Sequence, residues 1–265
     1  MPHILTALGS LFYMDAGSGP GMVFIGGLSA TSTAWQSLQR RFSSSCRVIC
    51  FDNPGVGKSE QPTRPYTLEQ VADAFAEALA ALDARDLYVV GHSMGGCIAM
   101  TLAAQHPRMV KQLVLANTLA QPRELRENHF EQLRSARLTL SAEEWLTRFY
   151  QKMILPTRFA NKSYRNALVS FALQNPQSDV SFFAQMDALL AFDGTAYLQA
   201  VASQNIPVLL LSSQQDILIP PQRTFALKHV NPSWQTTLIP DAAHASYIEN
   251  YRGFCNALET FGEIQ

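Results

Sequence analysis

A five-residue apolar run, Leu87–Gly91, ends in a glycine, and a helix-forming segment, Met94–Gln105, starts three residues later and must stop near Pro107. Such short, nearly continuous apolar runs read as strands buried on both faces, the condition of a parallel sheet covered by helices. Similar runs recur at Met22–Ile25, Arg47–Phe51, Gln112–Asn117 and Pro207–Ser212, with a last short one at Thr236–Ile239. Helices separate them. Thr67 and Gln70 form a capping box, and Val71, Phe75, Leu79 and Leu82 then follow at helical spacing on one face. Ser246–Phe261 reads as a closing helix. The expected fold is α/β, a mostly parallel central β-sheet with helices on both faces.

Near the start, Ala7–Asp15 alternates in part, and Gly17–Gly21 then interrupts it before Met22. A strand, a hairpin turn and a second strand fit this. Gly17-x-Gly19 lacks the third glycine at the proper place and precedes a strand rather than a helix, so it is not a dinucleotide site. Lys58-Ser59 after Gly55 and Gly57 hints at a phosphate-binding loop, but Asp52 stands where that motif needs glycine.

From Gln121 to about Ala196 the pattern is helical only. Ser141 with Glu144 makes a second capping box, followed by Trp145, Leu146, Phe149, Tyr150 and Met153. Tyr164, Leu168 and Phe171 come next, then Phe182, Phe183, Met186 and Leu190. The 265 residues thus divide into an α/β core, 1–120 and 197–265, and an all-helical cap, 121–196.

Composition limits the classes of function. Hydrophobic residues are 47% and charged residues 15%, which excludes a disordered chain. A net charge of −1 gives no broad basic surface, so no nucleic-acid partner is expected. No run approaches the roughly 20 apolar residues that cross a bilayer, so no membrane partner is expected either. Ile4–Met14 is apolar enough for a leader core, yet no Lys or Arg precedes it and no small-residue cleavage site follows. Cys46, Cys50, Cys97 and Cys255 are scattered, without disulfide or metal spacing, and read as buried thiols of a cytoplasmic protein. Neither metal nor cofactor is implied.

Chemistry concentrates at Gly91-His92-Ser93-Met94-Gly95, between strand and helix. A serine on that tight turn needs small neighbours two residues either side, and the helix N-terminus leaves N–H donors beside it. Its hydroxyl needs a base. Of His3, His92, His106, His129, His229 and His244, only His244 lies in a loop just after the last strand, where a sheet delivers groups to its C-terminal edge. His92 should point away from Ser93, and His106 and His229 lie near helix ends. The base in turn needs a carboxylate. Asp216 follows the strand Pro207–Ser212; Asp241 more simply turns the loop before His244, and Asp193 anchors the insertion to the core.

Four motifs bring the chain close to a known family: Asp52-Asn53-Pro54-Gly55-Val56-Gly57-Lys58-Ser59, Gly91-His92-Ser93-Met94-Gly95-Gly96, Asp216-Ile217-Leu218-Ile219-Pro220, and Ala243-His244 with Glu249 behind. In this order and spacing the chain resembles the α/β-hydrolase superfamily over essentially its full length. The resemblance implies Ser93 as nucleophile, Asp216 as acid, His244 as base, and a lid formed by the helical insertion. It also puts the oxyanion donors at the amides of Met94 and Gly27. That family usually has His-Gly in the first oxyanion loop, whereas this chain has Ile25-Gly26-Gly27-Leu28, leaving Ser29, Thr31 or Ser32 to brace it. Leu28, Trp145 and Phe149 are the expected substrate contacts.

The implied activity is hydrolysis of a small, mainly apolar ester, lactone or thioester through an acyl-enzyme. The same triad also serves C–C bond hydrolysis of a diketone, cofactor-free perhydrolase chemistry and non-hydrolytic cyclisation or rearrangement. The fold can also act as a ligand receptor that keeps its triad. From Gln121 to Arg165 nine Lys/Arg face five Asp/Glu, which a solvated helix face explains; a weak preference for anionic substrates is the alternative.

Overall fold

A computed structural model describes residues 2–125 and 129–264. Eight strands form one sheet in the order β1-β2-β4-β3-β5-β6-β7-β8. They are β1 (His3–Thr6), β2 (Gly9–Ala16), β3 (Gly21–Ile25), β4 (Arg47–Phe51), β5 (Leu87–His92), β6 (Val110–Ala116), β7 (Val208–Ser213) and β8 (Gln235–Ile239). β1 and β2 are antiparallel to their neighbours, and β3 to β8 run parallel.

Alternate residues of each parallel strand supply opposite cores, as the two-residue period requires. Val23, Val89, Leu113 and Leu210 face one cluster, joined by Phe75 and Leu79 of α2 (Leu68–Ala81), Ile98 of α3 (Met94–Gln105) and Val201 of α9 (Thr195–Ser203). Met22, Val90, Val114 and Leu209 face the other, joined by Leu38 of α1 (Gln36–Phe42) and Phe254 and Leu258 of α12 (Tyr251–Gly262).

Between β6 and α9 the described residues are helical or irregular, with α4 (Glu131–Thr139), α5 (Ala142–Met153), α6 (Pro156–Phe159), α7 (Lys162–Gln174) and α8 (Asp179–Ala191). They share a small core of their own around Leu133, Trp145, Phe149, Phe182 and Met186. Both capping boxes are present, Thr67 with Gln70 and Ser141 with Glu144. Asp193 closes the base of these helices, accepting from Gln121 Nε2 at 2.9 Å and from the Thr195 amide at 3.0 Å.

Two expectations need correction. The turn at Gly17–Gly21 is not a hairpin, because β4 lies between β2 and β3; the hairpin is β1–β2, with Thr6 opposite Gly9. The apolar segment Ile4–Met14 therefore belongs to two strands. The closing helix is interrupted: after α11 (Ser246–Glu249), Asn250 leaves helical geometry and its side chain accepts from the Gly253 amide, capping α12.

The chain leaves β3 for β4 on one side, then crosses to β5 on the other. The C-terminal ends of β3 and β5 thus flank a switch point, where open α/β sheets form their crevice. α10 (Pro221–Phe225) follows β7 past the loop that carries Asp216.

Candidate active site

Gly26-Gly27 lies at one wall of this crevice and Ser93 at the other. Ser93 has φ 56° and ψ −124°, outside the regions that non-glycine residues favour, so the elbow is strained. The flanking glycines are forced by contact. A Cβ on Gly95 would lie 2.2 Å from the Ile25 carbonyl oxygen, and one on Gly91 would lie 2.3 Å from that of Gly95. Met94 is the first residue of α3, where an N–H has no intrahelical acceptor. Across the crevice, a Cβ on Gly27 would stand 3.0 Å from the Ser93 Cβ, so any larger residue there would press on the serine.

His244 and Asp216 form the second part of the site. His244 Nδ1 donates to Asp216 Oδ2 at 2.7 Å, which leaves Nε2 as the basic nitrogen. Three more donors hold the carboxylate: the amides of Leu218 and Ile219 on Oδ1 at 2.9 and 3.0 Å, and Asn117 Nδ2 on Oδ2 at 2.8 Å. Burial alone would raise the Asp216 pKa, but His244 and these hydrogen bonds outweigh it and hold the group below its ordinary value. Asp216 is therefore an anion at neutral pH.

His92, expected to point away from Ser93, instead packs against His244 and lines the same cavity as Ser93. Its Nε2 donates to the His244 carbonyl at 2.8 Å, and its ring lies 4.7 Å from the His244 ring. Burial, and then the neighbouring His244, lower its pKa to about 3, so it stays neutral and supports the His244 loop by packing. His106 pairs with Asp73 far along the chain, and Asp241 sits at a positive φ of 47° in the loop turn.

The Gly26-Gly27 loop is braced mainly by residues that the sequence reading overlooked. Asn53 Nδ2 donates to the carbonyls of Gly26 and Gly27 at 3.0 and 3.3 Å, and Gln185 Oε1 accepts from the Ser29 amide at 3.1 Å. The expected Ser29 and Ser32 do contribute: Ser29 Oγ donates to Gln177 Oε1, and the Ser32 amide donates to Asp52. The Thr31 hydroxyl instead bonds to that of Thr33 nearby. Asp52 also accepts from the Lys58 amide at 2.8 Å, which closes the glycine loop on itself.

Ser93, His92, His244 and Gly27 line one cavity. Its other walls are apolar, with Leu28, Phe130, Phe149, Met153, Leu218 and Tyr247 among them. Leu28 and Phe149 were expected there; Trp145 lies farther out, in an adjoining cleft. Leu218 and Ile219 do double service, since their amides orient Asp216 while their side chains face the cavity.

Glu249 is fully buried and joins two segments. Its carboxylate accepts from the Ala243 amide, next to His244, and from the Leu155 amide, just after α5, both at 2.8 Å. The Ala245 amide adds a bond of 3.1 Å to the Met153 carbonyl. Desolvation raises the Glu249 pKa against the pull of these donors.

Among the described residues no group of three or more His, Cys, Asp or Glu is placed to hold a metal ion, and no helix is long and apolar enough to cross a membrane.

Comparison with known proteins agrees with the geometry. The sequence profile described as alpha/beta hydrolase fold matches residues 20–251. The chain is 24% identical to a putative carbamate hydrolase RutD of Azorhizobium caulinodans, over 98% of this chain and all of that protein. It is 26% identical to the pimeloyl-[acyl-carrier protein] methyl ester esterase of Vibrio cholerae, over 95% of this chain and 98% of that one. The enol-lactonase from Burkholderia xenovorans LB400 superposes with a TM-score of 0.88 at 21% identity, over 99% of this chain and 100% of the other. A strained serine at the sheet's switch point, a buried Asp–His couple on the same cavity and a profile spanning most of the sequence agree: the chain is an enzyme of the alpha/beta hydrolase family.

Proposed function

We propose that the protein is a serine hydrolase that cleaves a small, mainly apolar carboxylic ester, lactone or thioester through an acyl-enzyme on Ser93. The observation that carries this reading is the Asp216–His244 hydrogen bond at 2.7 Å, whose histidine lines the cavity that also holds Ser93. Residues 121–196 act as its lid, and Leu28 and Phe149 contact substrate, with Trp145 at the edge.

In this mechanism His244 Nε2 takes the Ser93 proton as Oγ attacks the carbonyl carbon, and Asp216 stabilises the imidazolium. The Met94 and Gly27 amides receive the developing oxyanion. The imidazolium then protonates the leaving alcohol or thiol. In the second half, His244 activates a water that attacks the acyl carbonyl, and the proton returns to Ser93 Oγ. The relatives named for carbamate, methyl ester and enol-lactone chemistry favour acyl transfer to water over the other reactions open to a triad. The four cysteines are free and buried, which fits the cytoplasm as the compartment.

Incubation with a fluorophosphonate, followed by peptide mass spectrometry, tests the assignment. A single adduct on the Ser93 peptide, absent in Ser93→Ala along with all ester turnover, is the expected result. Turnover that survives in Ser93→Ala overturns it.

A further inference from the structure

The cavity at Ser93 adjoins another. Leu28, Ala30, Phe149, Met153 and Tyr247 line both it and a second, wider cleft. The outer cleft is walled mostly by apolar side chains, including Trp145, Leu146, Tyr150, Leu168 and Ala172. Phe171, Leu173 and Ile248 line it while remaining 50%, 41% and 41% exposed, so they mark the rim where the cleft meets solvent. Large apolar side chains held half in water beside a pocket mark a surface that something apolar covers.

Charge in the cleft is already committed. Arg137 is the one charged side chain on its wall among the described residues. Its Nε donates to Asp179 at 2.7 Å and its Nη2 to the Gln177 carbonyl at 2.6 Å, while the guanidinium lies 4.5 Å from the Trp145 ring centroid. A substrate carboxylate in this cleft would lose its hydration without meeting an unpaired cation.

Resting on the ester-hydrolase reading, we infer that the outer cleft is a second binding compartment. It takes an extended, uncharged apolar chain on the substrate, running from Ser93 past Leu28 and Met153 to the rim at Phe171 and Ile248. The enzyme thereby selects medium-chain apolar esters or thioesters over short polar ones and over esters whose chain carries a carboxylate.

Two series on the unmodified enzyme test this. In calorimetric titration, straight-chain methyl ketones from butan-2-one to decan-2-one should bind up to about fourfold tighter per added methylene, levelling where the chain clears the rim. Across p-nitrophenyl esters, kcat/KM should climb from acetate to octanoate, and the ω-carboxylate analogue of the hexanoate should fall at least about tenfold below the hexanoate. Ala172→Glu, which sets a charge in the outer cleft, should lower the octanoate-to-acetate ratio of kcat/KM by about tenfold or more. Ketone affinities that stay flat with length, or a carboxylate analogue turned over as well as the neutral ester, would overturn the compartment. Ketones that tighten with length while no ester of any length is hydrolysed would support the compartment and defeat the hydrolase reading instead.

Discussion

Asn53→Ala should separate the brace of the Gly26-Gly27 loop, proposed to hold an oxyanion donor, from the proposed nucleophile Ser93. The amide of Asn53 is buried and holds the Gly26 and Gly27 carbonyls at 3.0 and 3.3 Å. Two buried hydrogen bonds at about 0.5–1.5 kcal/mol each imply a stability loss of about 1–3 kcal/mol. At about 2–4 °C per kcal/mol for a chain near this size, Tm should fall by roughly 2–12 °C. The effect on catalysis is bounded above by the loss of one oxyanion donor, about 10²–10³ in kcat. The loop keeps its ties at Ser29 and Ser32, so partial misplacement of the Gly27 amide, about tenfold to a hundredfold in kcat, is expected. KM should move by less than about threefold, since the lost interaction is strongest in the transition state. Asn53→Asp should be the more damaging variant, because a carboxylate would then face two carbonyl oxygens. Steady-state kinetics on a chromogenic ester and a thermal melt supply both readouts. A lowered Tm with unchanged kcat would refute the reasoning and reduce Asn53 to a residue that stabilises the loop without positioning it for catalysis.

Three further outcomes follow from the geometry. Asp216→Asn should preserve the fold and lower kcat by as much as about 10⁴ through the wrong imidazole tautomer, while Asp241→Asn should be nearly neutral in the same assay; the reverse pattern would move the acid to Asp241. Glu249 has a pKa raised by burial, so the unfolded chain ionises first as pH rises and the group's contribution to stability is lost between about 4.3 and its higher folded value. Urea unfolding of wild type and Glu249→Gln should therefore show wild type gaining on the variant as pH falls through that window, and a pH-independent difference would contradict it. Added salt should change kcat/KM equally for neutral and acid-bearing esters, because Arg123, Arg134 and Arg137 are paired with Asp193, Asp187 and Asp179; a selective fall for the acid-bearing ester would restore an electrostatic role to the helices. Arg126, part of the same basic stretch, lies outside the described residues.

Ser93, Asp216 and His244 could be singled out as candidates from the sequence because each sits within a few residues of a strand end, where local pattern and position coincide. Asn53 and Asn117 could not. Their work is done on groups distant in sequence, the Gly26 and Gly27 carbonyls and the Asp216 carboxylate, and only the assembled sheet brings these together. The same limit explains the misread turn. Glycine and proline at Gly17–Gly21 specify a reversal of direction, but the partner of β2 is set by β4, farther along the chain. The break at Asn250 did have a local sign, an asparagine three residues before Gly253, although the apolar spacing of Ser246–Phe261 conceals it. The excess of basic residues before Arg165 vanishes as a distinct feature once Asp179, Asp187 and Asp193 fold back onto it.

The buried carboxylate of Glu249 has a consequence for how this scaffold can be re-engineered. A designer exchanging the helices between Gln121 and Thr195 would cut at their two ends, where Asp193 gathers the chain. A third attachment lies inside the exchanged piece, at Leu155 and Met153, and it fastens to the residues either side of His244. A foreign graft lacking a matching amide and carbonyl would leave Glu249 half satisfied and the histidine loop unmoored, however well the cut ends were joined. Chimeras of this chain should therefore retain residues 153–155 as native sequence, treating them as part of the catalytic loop rather than of the transplanted helices.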